Sequence, residues 1–293
     1  MIVAHRGASA GEAEHTLLAY QRALDSGADG LECDVRLTRD GHLICVHDRR
    51  IDRTSNGRGV VSELDLARLA ELDFGSWHAG VGDAWPDSAD QLMSDEPYLA
   101  GVAPDRDAAT GRVLTLDALL ALCTDVQREI TLLVETKHPT RYAGLVEKEL
   151  VRTLRRFGLA GQAPPGAARR EPALARDSPV QVMVMSFAAV ALRRVRLLAP
   201  DLETVFLLER PPPLRRGREW PGGTGVVGPG LELVRQDPDF VARAHADAHP
   251  VFVWTVDDPQ DVGYVLELGV DAVITNDPVT ALRVRAARPG GAG

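Results

Sequence analysis

The chain lacks the features of several common protein classes. It has only three cysteines, Cys33, Cys45 and Cys123, and their number and spacing fit neither a disulfide framework nor a metal site. No segment approaches the roughly 20 apolar residues of a membrane span, and the start MIVAHRG has no basic region before an apolar run. We therefore expect free thiols, a cytoplasmic location and no integral membrane segment.

The sequence also lacks an excess of positive charge and the common nucleotide-binding motifs. Its 33 Lys and Arg residues and 42 Asp and Glu residues give a formal net charge of -9, which argues against nucleic-acid partners and anionic membranes. Neither GxGxxG nor GxxxxGKS/T follows any of the predicted strands. An anionic substrate would need local cations to bind.

Strand and helix patterns alternate along most of the chain. Short apolar runs such as Ile2–His5 and ITLLVETK are typical of strands, and segments such as TLLAYQRALDSG carry apolar residues at helical spacing. About eight strands in a chain of this length predict a single (β/α)8 barrel with a mostly parallel sheet. An open, doubly wound sheet is the alternative.

Two segments interrupt this alternation. Residues 75–111 and 158–179 contain prolines and glycines without apolar periodicity. We interpret the first as an insertion after the early strands of the barrel and the second as a mobile loop. The pattern thus predicts one catalytic barrel domain over residues 1–288, followed by a disordered tail over 289–293.

The turn TRDG departs from the barrel repeat because it is too short for a crossover helix. We expect the strand that ends at Leu37 to be followed by an antiparallel partner from Leu43 to His47, with the turn at Asp40-Gly41. This hairpin would fold His47 back toward the preceding strand. The later segment SELDLARLAELD is predicted to be a helix with Ser62 as its cap.

Carboxylates occur inside strands that are otherwise apolar. Since residues i and i+2 of a strand face the same way, Glu32 and Asp34 are predicted to point together into the barrel or its mouth. Neighbouring carboxylates repel each other unless a cation lies between them. Glu135, near the end of ITLLVETK, is the best candidate for a third ligand. Such oxygen ligands favour one hard divalent ion, Mg²⁺ or Ca²⁺.

Imidazoles and cations are predicted at the ends of the same strands. His5 and Arg6 close the first strand, His47 follows the hairpin, and Lys137 lies two residues after Glu135. Any one of them alone is more often structural than catalytic. Together they predict acid/base chemistry beside a metal ion and a bound anion.

Four motifs resemble, in order and spacing, those of the glycerophosphodiester phosphodiesterases of the phospholipase C-like barrel group. They are AHRGASAGEAEHT, GADGLECDVRLTRDGHLICVHDRRIDRTSNGRG, VETK and VWTVDDP. The resemblance extends from residue 3 to about residue 280. It implies a (β/α)8 barrel that hydrolyses glycerophosphodiesters to glycerol 3-phosphate and an alcohol with a divalent metal. The segment AEHT departs from the common PENT, so that Ala13 and His15 replace a proline and an asparagine.

The resemblance implies a role for each matching residue. The metal carboxylates fall on Glu32, Asp34 and Glu135, the catalytic pair on His5 and His47, the phosphate contacts on Arg6 and Lys137, and the substrate-packing tryptophan on Trp254. Trp254 could equally pack in the core. A phosphodiesterase acting on lysophospholipids or phosphoinositides, and a catalytically silent phosphate-binding barrel, are the alternatives. The expected partner is a small-molecule substrate, and the expected assembly is a monomer or homodimer.

Overall fold

The computed structural model describes residues 1–80, 111–138, 140, 144–161, 179–210 and 220–288. In these residues the strands are β1 (Ile2–His5), β2 (Gly30–Leu37), β3 (Leu43–Cys45), β4 (Ile130–Thr136), β5 (Val180–Ser186), β6 (Glu203–Leu208), β7 (Val226–Pro229), β8 (Phe252–Val253) and β9 (Ala272–Thr275). The α-helices are α1 (Leu17–Asp25), α2 (Leu66–Leu69), α3 (Leu116–Thr124), α4 (Leu145–Arg156), α5 (Ala189–Leu198), α6 (Leu231–Gln236), α7 (Asp239–Ala246), α8 (Pro259–Glu267) and α9 (Pro278–Ala286). Short 3-10 helices cover Val61–Glu63, Ser76–Gly80 and Pro221–Gly223.

The strands form a nearly closed parallel barrel. All of them except β3 follow the order β7-β6-β5-β4-β2-β1-β9-β8, and each neighbouring pair in that order is parallel. Parallel bridges from Val227 to Val251 and from Gly230 to Trp254 bring the two ends of this order together. The predicted (β/α)8 barrel is therefore confirmed, and the alternative of an open sheet is wrong.

Apolar side chains fill both faces of the sheet. Val3, Leu133, Met185 and Val205 belong to a cluster inside the barrel. The opposite face of β2 packs against the helices: Leu31, Cys33 and Val35 are fully buried in the outer cluster. Because alternate residues of a strand face opposite ways, Glu32 and Asp34 must then point into the barrel, as predicted.

The predicted hairpin is confirmed. β3 pairs antiparallel with β2, with Val35 opposite Cys45 and Leu37 opposite Leu43. The Val46 amide then donates a hydrogen bond of 3.0 Å to the Asp34 carbonyl. This bond continues the pairing beyond β3, so His47 follows directly after a residue held beside Asp34.

The predicted helix over SELDLARLAELD is wrong in its extent. The α-helix is only α2, with Asp65 rather than Ser62 at its N-cap. The cause is Leu64, whose carbonyl accepts a hydrogen bond of 2.9 Å from the Arg39 amide and whose backbone is extended. A helix could not run through a residue held in this way.

The ends of the predicted insertion lie side by side. The Phe74 amide donates a hydrogen bond of 2.6 Å to the carbonyl of Gly111. Residues 81–110 of that insertion, residues 162–178 of the predicted mobile loop and the tail 289–293 lie outside the described residues. Within the described part of the chain, no helix has both the length and the apolar composition needed to cross a membrane.

Candidate active site

Three carboxylates meet at the mouth of the barrel. The sheet register places Asp34 beside Glu135 and His5 beside Glu32. Ligand oxygens from Glu32, Asp34 and Glu135 all lie within 4.8 Å of one another, and the three residues are buried. Glu135 is the sixth of the seven residues of β4, and Glu32 lies beside His5, the last residue of β1. The cluster therefore lies where these two strands end, and barrels of this kind build their sites at the C-terminal ends of the strands.

Burial and mutual repulsion raise the pKa of two of the three carboxylates. Burial, together with repulsion from Asp34 and Glu135, raises the pKa of Glu32 well above its usual range. Burial and repulsion from Asp34 also raise the pKa of Glu135 to about 7. Burial acts in the same direction on Asp34, but Lys137, His15 and Arg6 hold its pKa well below the usual range. Three close oxygen donors that repel one another in this way fit a hard divalent cation.

Two cations flank the carboxylates. Lys137 Nζ lies 2.9 Å from Asp34 Oδ1 and 2.8 Å from Glu135 Oε2. Arg6 Nε lies 3.2 Å from Asp34 Oδ2. Burial opposes the charge on Lys137, yet the two carboxylates raise its pKa. Both predicted cationic residues therefore lie at the cluster and are charged at neutral pH.

A tight turn after β1 brings Arg6 to this position. Arg6 has a positive φ of 58°, and its amide donates a hydrogen bond of 3.0 Å to Glu32 Oε2. Gly7 follows with φ of 83°, and a Cβ at this position would lie 2.6 Å from the backbone of Ala19. Only glycine fits here, because the turn packs directly on α1.

The hydrogen bonds of His5 define its tautomer. Its Nδ1 lies 2.7 Å from Asn276 Oδ1, and the Asn276 amide group donates a hydrogen bond of 2.7 Å to Asp257 Oδ2. Because a carboxylate can only accept, Asn276 must turn its carbonyl oxygen toward His5, and His5 Nδ1 carries the proton. The free Nε2 faces the cluster, 3.9 Å from Glu32 Oε2. Burial and the nearby charge of Arg6 lower the pKa of His5 to about 3.

His47 lies at the end of a chain of ion pairs. Its Nδ1 is 2.8 Å from Asp48 Oδ1, and Arg53 Nε donates to Asp48 Oδ2 at 2.7 Å. Arg53 also binds Glu14 through two hydrogen bonds of 2.7 and 2.8 Å. Burial raises the pKa of Asp48, but the bonds from His47 and Arg53 outweigh it and lower the pKa below its usual range. Asp48 is therefore a carboxylate that orients the His47 ring.

Trp254 lies on the side of the mouth formed by β7 and β8. Its ring packs against the interior cluster and meets Phe187 edge to face, with 5.3 Å between the ring centroids. Its Nε1 donates a hydrogen bond of 2.7 Å to the Gly228 carbonyl. The ring is only partly buried, so one part of it packs in the core and another faces the mouth.

His15 contacts a carboxylate of the cluster rather than capping α1. Its Nε2 lies 2.9 Å from Asp34 Oδ2, and its Nδ1 lies 2.8 Å from the Tyr20 hydroxyl. The cap of α1 is Thr16, whose side chain accepts from the Ala19 amide. His15 thus fixes the orientation of the Asp34 carboxylate.

Several supporting residues were missed at the level of the sequence. Glu14, Asp48, Arg53, Asp257 and Asn276 all contact predicted site residues or each other in the structure. Asp48 could have been found, since it directly follows His47. The others are charged or amide residues in loops, and nothing in their spacing distinguishes them from solvated ones.

A cationic pocket extends from Lys137 along the hairpin. It has a volume of about 530 Å³, and its lining includes Arg36, Arg49, Lys137 and His138. The Arg36 guanidinium donates a hydrogen bond of 2.8 Å to the His47 carbonyl. The pocket therefore adjoins the segment that carries His47.

Known proteins resemble this chain over most of its length. The model of the glycerophosphoryl diester phosphodiesterase family matches residues 5–280. A Mycobacterium tuberculosis protein named probable glycerophosphodiester phosphodiesterase 1 is 44% identical over 277 residues, which cover 94% of this chain and 89% of the relative. A Bacillus subtilis glycerophosphodiester phosphodiesterase is 32% identical over 286 residues, which cover 95% of this chain and 84% of the relative.

A solved structure shares the fold. An Oleispira antarctica phosphodiesterase, determined in complex with the product sn-glycerol-3-phosphate, superposes with a TM-score of 0.74 at 19% identity. The match covers 98% of this chain and 97% of that one. At this level of identity the likeness supports the barrel fold.

Proposed function

Since the chain belongs to the glycerophosphoryl diester phosphodiesterase family, we propose that it hydrolyses glycerophosphodiesters to sn-glycerol 3-phosphate and an alcohol. One divalent metal ion, Mg²⁺ or Ca²⁺, assists this reaction. The observation that carries the proposal is the buried group of Glu32, Asp34 and Glu135, with Arg6 and Lys137 in direct contact with it. This arrangement joins a site for a hard cation to two positive charges for a phosphate.

The three carboxylates hold the metal in this proposal, and Arg6 and Lys137 bind the phosphate. When bound, the metal would offset negative charge on the phosphate, as divalent ions do in phosphoryl chemistry. Lys137 lies between Asp34 and Glu135, so it supplies positive charge next to the proposed metal position. The phosphate would thus contact several positive charges. These local charges are needed because the net charge of -9 repels an anionic substrate.

The two histidines move the protons. His5 has a free Nε2 and is held neutral, so it accepts the proton from the substrate's own glycerol hydroxyl as that oxygen attacks the phosphorus. His47 gives a proton to the departing alcohol as its P–O bond breaks, leaving a cyclic phosphate. Water then opens the ring, with the histidines in reversed roles, and glycerol 3-phosphate is released. Trp254, whose ring packs against the interior cluster beside the mouth, would contact the substrate in this proposal.

The first test is a substrate panel followed by a change at His47. We expect glycerol 3-phosphate to be released from glycerophosphocholine, glycerophosphoethanolamine or glycerophosphoinositol, but not fatty acid or phosphocholine from lysophosphatidylcholine. Replacing His47→Ala should lower kcat by about 10²- to 10⁴-fold, the usual loss for one general acid or base. Retention of full kcat by His47→Ala would remove the assigned role.

The other expectations complete the proposal. Cys33, Cys45 and Cys123 are buried and free, which supports a cytoplasmic location. The proposed substrates are deacylated phospholipids, so the reaction would belong to lipid and glycerol metabolism. We also propose that residues 1–288 form one catalytic domain, which the single ring of strands in the described residues supports. A monomer or homodimer remains the predicted assembly.

A further inference from the structure

The described residues that line the pocket beside the hairpin include more cationic than anionic side chains. Among the described residues that line it, Arg36, Arg49 and Lys137 are cationic and Glu63 is the one carboxylate. Lys137 is paired with Asp34 and Glu135, but neither Arg36 nor Arg49 forms an ion pair with a described carboxylate. Within the described part of the chain these two guanidinium groups thus lack a carboxylate partner, and a guanidinium fork matches a carboxylate or phosphate.

The sheet register explains why this charge lies next to the proposed metal site. Asp34 pairs with Glu135 across β2 and β4. Arg36 and Lys137 each follow two residues later, so their side chains project from the same face of the sheet, one step closer to the mouth of the barrel. Arg49 joins them because the hairpin folds back, and its backbone carbonyl accepts a hydrogen bond of 3.0 Å from the Val61 amide. The pocket therefore shares Lys137 with the carboxylate cluster.

The pocket lies on the His47 side of the site. Arg36 holds the His47 carbonyl at 2.8 Å, whereas Trp254 occupies the side formed by β7 and β8. In the proposed function, His47 protonates the departing alcohol, so that alcohol must lie beside His47. A volume of about 530 Å³ is ample for a small polar alcohol.

We propose that this pocket binds the leaving alcohol, and that the enzyme prefers glycerophosphodiesters whose alcohol carries an anionic group, a carboxylate or a phosphate. The inference rests on the proposed function and adds the substrate class to it. Arg49 and Arg36 bind the anionic group, and Leu37, Val61 and Val146 form apolar parts of the pocket wall. Arg49 is a specificity residue here and takes no part in proton transfer.

Two matched pairs of substrates test the preference. Glycerophosphoserine differs from glycerophosphoethanolamine by one carboxylate, and glycerophosphoinositol 4-phosphate differs from glycerophosphoinositol by one phosphate. We expect kcat/KM for the anionic member of at least one pair to exceed that of its partner by about tenfold, as one charge-assisted hydrogen bond allows. The pair with the larger ratio identifies the anionic group.

Variants at Arg49 separate binding from general structure. Arg49→Gln should remove most of the preference and leave kcat/KM for glycerophosphoinositol, whose alcohol is uncharged, within about twofold. Arg49→Lys, which keeps the charge without the fork, should retain part of it. Arg50→Gln is the matched control, because Arg50 is exposed, pairs with Asp52 at 2.9 Å and does not line the pocket.

The outcomes that oppose the inference differ from those that oppose the proposed function. Equal hydrolysis of both members of each pair by the wild type, or an unchanged preference in Arg49→Gln, overturns the inference and leaves the proposed function intact. If no substrate releases glycerol 3-phosphate with either metal, the proposed function fails and the inference fails with it.

Discussion

Single residues at the mouth of the barrel carry charges that are paired before any ligand arrives. Glu14 is an example, since it binds Arg53 through both oxygens and also accepts from Arg6 Nη1 at 3.1 Å. It thereby connects the proposed phosphate ligand Arg6 to the chain that orients His47. Pairs of this kind are rigid because breaking one leaves a buried charge without a partner.

Glu14 should make the stability of the protein depend on pH. Burial opposes its ionisation, but the hydrogen bond from Arg53 and the charge of Arg6 lower its pKa from 4.5 to about 2. A lowered pKa in the folded state means that the stabilisation is complete above about pH 4.5 and is lost as the pH falls toward 2. It amounts to about 3 kcal/mol at neutral pH.

Denaturant unfolding of Glu14→Gln against the wild type measures this contribution. We expect the variant to be less stable by about 3 kcal/mol at pH 7 and the difference to shrink as the pH is lowered to 3. The control is Glu71→Gln, because the exposed pair of Glu71 with Arg68 contributes at most about 1 kcal/mol. A difference that stays constant between pH 7 and pH 3 would contradict the assignment.

At the scale of elements, the turn between β1 and α1 couples the site to the helix layer. His5 ends β1, Arg6 adopts a positive φ, and Gly7 places the chain directly against Ala19. The Ala8 amide then donates a hydrogen bond of 2.9 Å to the Ala19 carbonyl. The positions of His5 and Arg6 therefore depend on how closely this turn approaches α1.

Gly7→Ala should disturb both stability and activity. The added Cβ would lie 2.6 Å from the Ala19 backbone, in a backbone conformation that L side chains rarely adopt. Backbone strain and overpacking together predict a loss of about 3 kcal/mol in the free energy of unfolding, with lower kcat/KM.

Gly27→Ala provides the matched control for this change. Gly27 has a similar φ of 85°, but no atom lies within 4 Å of an added Cβ. The Gly27→Ala variant should therefore lose only about 1 kcal/mol in its free energy of unfolding and keep its activity. Equal losses in the two variants would show that the contact with α1 does not matter.

At the scale of the whole molecule, the three carboxylates tie together strands that are distant in sequence. Glu32 and Asp34 lie on β2 and Glu135 on β4, and the burial that raises the pKa of Glu32 and Glu135 opposes folding without a cation. A metal bound here should stabilise the folded chain, because it binds the native state and relieves that repulsion.

Thermal and denaturant unfolding with Mg²⁺, Ca²⁺ or a chelator tests this linkage without an activity assay. At a metal concentration of 100 Kd the free energy of unfolding should rise by about 2.7 kcal/mol. Glu135→Gln should lose this response, and Glu232→Gln, which changes an exposed carboxylate, should keep it. The proposed metal site would be refuted by an identical metal response in Glu135→Gln and the wild type.

Much of the fold and of the central site was predictable because both depend on local periodicity. Alternation along β2 placed Glu32 and Asp34 on the inner face, and the short turn before Leu43 required a hairpin. The helix from Ser62 was predicted too long because the bond between Arg39 and the Leu64 carbonyl is tertiary. No propensity scale contains such a bond.

The sequence by itself determined the barrel class, the inward-facing carboxylates of the strands and the residues that resemble a phosphodiesterase site, since all of these follow from residue type and spacing along one strand or turn. Only the tertiary structure decided which loops support them. Asn276 reaches His5 and Glu14 reaches Arg53 across long separations in sequence, and Arg49 joins Arg36 beside Lys137 because the hairpin returns. These contacts depend on how the strands close into a ring. The periodicity of the sequence carries no information about how close two residues from distant segments come in space.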